Sequence, residues 1–171
     1  KNALKNNTTL KQETLKTGLI KEKEYEKAIE NYIQAIALDS NYWQAYSNRA
    51  FVYLSLEDYE KAFYWFSTAA EKRFAPAQNH LGMMYRDGRG VDEDFEEAFI
   101  WFSIAAEQGN SEAQCNLALM YIEGNGLPEL HYEAVHWINL AYKEDSNFAN
   151  DIINDYDYWA YIDDDLLEFP E

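Results

Sequence analysis

The sequence predicts an all-α protein, a right-handed solenoid of four helix hairpins closed by a C-terminal capping helix. Three observations predict it. One aromatic and small-residue motif occurs four times, its alanines stand 34, 36 and 36 residues apart, and within each motif the apolar positions step by three and four. That step is the period of a helix face, and no stretch shows the two-residue alternation of a half-buried strand.

The motifs are Tyr25-Glu-Lys-Ala28-Ile-Glu-Asn-Tyr32, Tyr59-Glu-Lys-Ala62-Phe-Tyr-Trp-Phe66, Phe95-Glu-Glu-Ala98-Phe-Ile-Trp-Phe102 and Tyr132-Glu-Ala134-Val-His-Trp-Ile138. Trp65, Trp101 and Trp137 recur at the same interval, and a further small residue follows each motif at Ala35, Ala69, Ala105 and Ala141. Tyr59, Ala62, Phe66 and Ala69 therefore form one stripe of a helix, in which small Ala between large rings lets a neighbouring helix approach closely. Each of the last three motifs has a partner helix upstream, marked by Tyr46, Ala50 and Tyr53, by Leu81, Gly82 and Tyr85, and by Leu117, Ala118 and Tyr121.

The connector inside the hairpin changes along the chain. From Ala50 to Ala62 is 12 residues, whereas Gly82 to Ala98 and Ala118 to Ala134 are both 16. The insertions carry Gly88, Gly90, Gly124 and Gly126, which permit the left-handed backbone that ends a helix and turns the chain. A solenoid also needs a cover for its last apolar face. Phe148, Ile152, Tyr156, Trp159 and Ile162 keep helical spacing behind Ser146 or Asn147 as N-cap, so the organisation reads as a solenoid over 1–146, a capping helix over 147–162 and an acidic tail over 163–171.

Residues from about 8 to 75 resemble tetratricopeptide repeats through Ala45-Tyr-Ser-Asn-Arg-Ala50 and the run from Tyr53 to Ala62. Residues from about 76 to 145 resemble Sel1-like repeats through Ala77-Gln-Asn-His-Leu-Gly82-Met-Met-Tyr85, Gly88-Arg-Gly-Val91, Ala98-Phe-Ile-Trp-Phe102 and Ala105-Ala-Glu-Gln-Gly109. The resemblance implies a non-catalytic scaffold that binds other proteins on the inner wall of the solenoid. One specialisation it brings to mind, the co-chaperone clamp for an acidic chaperone tail, needs two Lys, one Arg and two Asn on that wall. Here only Asn48 matches, and the other aligned positions are Glu13, Thr17, Pro76 and His80.

Charge narrows the partner. The 171 residues hold 14 Lys and Arg against 31 Asp and Glu, a net charge of -17. This opposes nucleic acid, whose phosphates demand a cationic surface, and anionic membranes alike. No apolar run approaches the 18 or so residues that would insert in a bilayer. Residues 87 to 171 carry 2 basic and 21 acidic side chains, so the excess lies in that half. A basic or apolar contact surface on another protein is the complement, and charge of this kind speeds association more than it adds affinity.

Chemistry is sparse. His80, His131 and His136 lack the spacing of a metal site, Cys115 is the only cysteine, and Gly88-Arg-Gly90 follows a helix, not the strand a phosphate cradle requires. No catalytic residue, metal or cofactor is expected. The lone cysteine suits a reducing, cytoplasmic compartment; because the chain starts at Lys1 and not Met, a periplasmic site behind an upstream signal is the alternative.

In stacked hairpins the first helix of each pair lines the inner wall. Taking Ala50, Gly82 and Ala118 as equivalent, the wall comprises Ser47, Asn79 and Cys115 three residues before, Asn48, His80 and Asn116 two before, and Phe51, Met83 and Leu119 one after. An amide row beside an apolar row suits an extended peptide or loop of a partner. The acidic C-terminal residues Asp155, Asp157, Asp163, Asp164 and Asp165, together with Tyr161, form a second expected contact, for a basic partner. Two uses fit these features: an adaptor or scaffold, and an acidic immunity-type protein that neutralises a basic toxic effector enzyme by direct binding.

Overall fold

The computed structural model describes residues 21–125, 131–144 and 146–157. They form helices α1 (residues 21–38), α2 (Trp43–Ser55), α3 (Tyr59–Ala70), α4 (Ala75–Asp87), α5 (Phe95–Glu107), α6 (Ser111–Glu123), α7 (His131–Lys143) and α8 (Asn147–Asp155), with no strand among the described residues. From α2 onward each helix packs on its successor, giving hairpins α2/α3, α4/α5 and α6/α7 in a row with α8 on the end. The expected upstream helix of the first hairpin, the last part of the expected capping helix (158–162) and the acidic tail over 163–171 lie outside the described residues.

The repeat is visible in the burial. Ala62, Ala98 and Ala134, then Phe66, Phe102 and Ile138, then Ala69, Ala105 and Ala141 are all fully buried. Each core cluster is completed by the next hairpin: Ala77, Leu81 and Met84 of α4 close over Ala62, Phe66 and Ala69 of α3, and Ala149, Ile152 and Ile153 of α8 close over Ala134, Ile138 and Ala141 of α7. Burying one such Phe or Ile contributes about 1.5–3 kcal/mol, so no hairpin has its full stability without a neighbour. At Gly82 the small residue is glycine because a Cβ there would stand 2.8 Å from the Phe102 ring.

Helix ends repeat as faithfully. Asp58 and Asp94, 36 residues apart, accept from the N–H groups of Lys61 and Glu97 at the starts of α3 and α5. Asn110 and Ser146, also 36 apart, accept from Ala113 and Ala149 at the starts of α6 and α8. Each cap contributes about 1 kcal/mol. Gly88 and Gly124 end α4 and α6 in the left-handed conformation expected of them. Where the earlier unit lacks a glycine, Glu57 and Arg73 adopt φ of 58° and 64° instead.

A second repeated device ties hairpin to hairpin. Gln78 Nε2 donates to the Ala70 carbonyl at 3.0 Å, and Gln114 Nε2 donates to the Ala106 carbonyl at 3.2 Å. In both cases a buried amide on the first helix of one hairpin donates to a carbonyl in the last turn of the preceding helix, which also accepts from the Arg73 or Gly109 N–H and so uses its second lone pair.

The capping helix is shorter than expected. α8 ends at Asp155, and Asp157 turns the chain at φ 56°. Its buried face is Ala149, Ile152 and Ile153, not Phe148, Ile152 and Tyr156, because small Ala149 lets the helix settle close onto α7. Tyr156 is left exposed, its hydroxyl donating to Glu123 Oε1 at 3.4 Å. Trp159 and Ile162 lie outside the described residues.

Gly90 has a role beyond turning. A Cβ there would meet the Tyr59 carbonyl oxygen at 2.3 Å, so the long α4–α5 connector rests directly on the backbone at the start of α3. Gly109, at φ +83°, has open space around the same point. Gly90→Ala is therefore expected to lower unfolding free energy by about 2–4 kcal/mol, combining backbone strain with overpacking, and Gly109→Ala by only about 1–2 kcal/mol. Urea denaturation of the two variants checks the order; equal losses would mean that the connector does not bear on α3.

Candidate functional site

The wall formed by α2, α4 and α6 is not the uniform surface the spacing suggests. Ser47, Asn79 and Cys115 are fully buried, and Asn116 is 4% exposed. These four therefore do not face a partner, which corrects the expectation for them. The reason is geometric: the residues three before the close-packed Ala50, Gly82 and Ala118, and Asn116 two before Ala118, point into the seams between successive hairpins, where the small residues draw the helices together.

The seam between α4 and α6 is polar and fully directional. Asn116 Nδ2 donates to Asn79 Oδ1 at 2.9 Å, and Asn79 Nδ2 donates to Glu112 Oε2 at 3.2 Å. Arg86 donates to Asn116 Oδ1 at 3.2 Å and through Nε to Asp87 Oδ1 at 2.8 Å. A cation thus feeds one end of the amide chain and a carboxylate receives at the other, an order in which each bond polarises the next.

The seam between α2 and α4 is aromatic instead. His80 lies 5.1 Å from the Phe66 ring in a stacked arrangement and 4.5 Å from Phe51 edge-on. Burial holds its imidazole below the ordinary value, against the opposing pull of Glu112. His80 is a packing residue of this seam, with no metal-ligand cluster around it among the described residues. Asn48 accepts from Gln44 of its own helix at 3.0 Å.

At the third seam Cys115 Sγ lies 3.9 Å from Ser146 Oγ, beneath the N-terminus of α8. Burial pushes the thiol up to about 11, so it is protonated at neutral pH.

What reaches solvent is the row one residue further on. Phe51 is 38% exposed, and Met83 and Leu119 are half-buried, each with its inner side against the core. Asp155 and Asp157 are exposed. Tyr161, Asp163, Asp164 and Asp165 lie outside the described residues.

One feature was not singled out from the sequence. An open cleft of about 460 Å³ sits where α5 ends, α6 begins and α7 passes, lined by Ala106, Glu107, Gly109, Gln114, Trp137, Leu140 and Glu144. The signal for it was available as a broken repeat: Gln78 recurs 36 residues later as Gln114, but Gln108 recurs as Glu144.

This arrangement of interlocked hairpins with a fixed 36-residue step matches known families. A model of the Sel1 repeat matches residues 48–74, 75–110 and 111–146, more than half of the chain. The chain belongs to the Sel1 repeat family. A tetratricopeptide-repeat model matches residues 19–57, so the tetratricopeptide-like part comes first, as expected, while the Sel1 match begins within α2, earlier than the sequence reading put it. No curated protein matches the chain. Among solved structures, a protective antigen present in uropathogenic Escherichia coli strains, with an SLR fold, is 32% identical over 77% of this chain and 29% of its own, with a TM-score of 0.69. A Sel1 repeat protein from Oxalobacter formigenes is 25% identical over 80% of this chain and 61% of its own, at 0.67. Cysteine rich protein B of Helicobacter pylori, 24% identical, shares the fold at 0.60 over 76% of this chain and 95% of its own. The Sel1 chain thus spans 29% and 61% of the lengths of the first two. Repeat families of this kind are generally non-catalytic and bind other proteins.

Two measurements test the seams. Asn116→Ala strands Asn79 Oδ1 and one Arg86 donor, and is expected to cost about 1–3 kcal/mol of stability; a surface asparagine would cost under about 0.5 kcal/mol. The Cys115 thiol ionises near about 8.5 when unfolded but near about 11 when folded. Its stabilising contribution is complete below the first value and is lost as pH rises toward the second, because there the unfolded state binds fewer protons. Tyr85 and Tyr121, raised first by burial and then by nearby carboxylates, act in the same direction. Cys115→Ala should flatten the loss of stability through that alkaline window, and the native thiol should stay silent to a disulfide reagent at pH 8 until urea unfolds the chain. A thiol that reacts at once in the folded protein would contradict its burial.

Proposed function

We propose that the chain is a non-catalytic interaction module, an adaptor or scaffold, that receives a peptide or loop of a partner protein along the wall of α2, α4 and α6. The observation that supports this is the ridge of Phe51, Met83 and Leu119. Three successive repeats leave one large apolar side chain partly uncovered at the same register, beside the buried row of Ser47, Asn79 and Cys115. A partner covering the ridge removes that apolar area from water, and the exposed Gln44 and Asn48 pair at its edge offers amide groups to a backbone.

A second use is favoured by the charge asymmetry. With 21 acidic and 2 basic side chains in residues 87 to 171, an immunity-type protein that neutralises a basic toxic effector would be drawn in through that half. The two uses separate on salt: electrostatic capture slows several-fold as ions screen charges beyond about 8 Å, whereas an apolar groove is largely indifferent.

With the wild-type chain as bait and the retained protein identified by mass spectrometry, Phe51→Ala combined with Leu119→Ala should weaken binding about 30-fold or more, the scale of a central hot spot. The melting transition should persist, since both residues are half-exposed. A double variant that binds normally sinks the groove reading.

A further inference from the structure

We propose that the cleft at the junction of α5, α6 and α7 is a receptor for a basic side chain, lysine or arginine, presented by a partner protein. It shares none of the ridge residues Phe51, Met83 and Leu119. The inference rests on the protein-binding reading only for the source of the side chain.

The argument starts from an acceptor without a donor. Gln114 is 5% exposed; its Nε2 is committed to the Ala106 carbonyl, and its Oε1 has no partner. One repeat earlier the same carbonyl oxygen, Gln78 Oε1, accepts from Gln108 Nε2, which also donates to the Ile104 carbonyl at 2.8 Å. The residue 36 positions after Gln108 is Glu144. An ionised carboxylate has no N–H to give, so the bond that closes the earlier junction cannot form here. A buried acceptor left unpaired is destabilising, and any ligand bringing a donor along the path that Gln108 takes offsets part of that cost.

The rest of the cleft specifies which donor. Glu107 and Glu144 both line it, so the donor is preferably cationic. Trp137 and Leu140 supply an apolar wall that accepts an aliphatic stem, and an indole face that attracts a guanidinium or ammonium. Gly109 leaves open space where a side chain would otherwise intrude. Arginine meets all of these at once, with several N–H groups for the amide oxygen and the carboxylates together. An acidic or apolar side chain would add repulsion or leave Gln114 as it is.

The test uses the full chain, isotopically labelled, titrated with acetyl-Gly-Arg-Gly-amide and with the same tripeptide carrying citrulline, which keeps the shape and removes the charge. The arginine peptide should shift the Trp137 indole N–H and the Gln114 side-chain amide saturably, with citrulline at least about 10-fold weaker, given the greater strength of charge-assisted hydrogen bonds. Glu144→Gln should restore the bond seen at Gln78, raise Tm by about 2–4 °C and lose the arginine peptide. Absence of saturable shifts, equal binding of the two peptides, or a Glu144→Gln variant that binds as before or gains no stability would each overturn the proposal. Failure of the tripeptide alongside a ridge that still binds its partner leaves the interaction reading standing, and the reverse result separates the two equally well.

Discussion

The structure depends on close approach at small residues. At Ala50, Gly82 and Ala118, and again at Ala62, Ala98 and Ala134, a side chain of one carbon or none lets successive helices come near enough for Phe66, Phe102 and Ile138 to be wholly enclosed. Because each enclosure is completed by the next hairpin, the interval between small residues sets the interval of everything else. Caps, left-handed turns and amide brackets recur at 36 because the alanines do.

The same constraint decides which polar groups are available outside. Residues beside a close-packed alanine are carried into the seam, and once buried they need partners. Two of the three seams meet that need: Asn79 and Asn116 bond to each other and Cys115 meets Ser146, whereas at the α2/α4 seam the buried Ser47 hydroxyl has no partner among the described residues and His80 packs against two rings. Phe51, Met83 and Leu119, one residue beyond the small positions, escape burial on that wall.

Much of the fold was legible in the sequence. The alanine spacing, the helix pairs, Gly88 and Gly124 as stops, and Ser146 as one of two N-cap candidates all correspond to what is seen, because each rests on local chemistry or a short period. The wall was legible only in part. Placing Asn79 and Asn116 on a helix face was correct, but whether that face meets solvent or the next hairpin depends on how far one hairpin rotates on another, which no spacing encodes. The end of α8 was misjudged for a related reason: Tyr156 keeps the helical period, yet the neighbouring Ile153 and Ala149 fit α7 better. The cleft is invisible to a periodicity, because it arises where the repeat fails, at Glu144 in the place of Gln108.

The unequal seams also have a mechanical side. Hydrogen bonds are directional and weaken steeply when bent or stretched, whereas packed rings can slide by a fraction of an ångström at little cost. The α4/α6 seam, crossed by three hydrogen bonds from Arg86 and Asn79 to Asn116 and Glu112, resists shear. The α2/α4 seam, where His80 rides between Phe51 and Phe66, does not. On this chemistry the solenoid is expected to act as a spring of uneven stiffness, bending first at the α2/α4 seam where Phe51 sits.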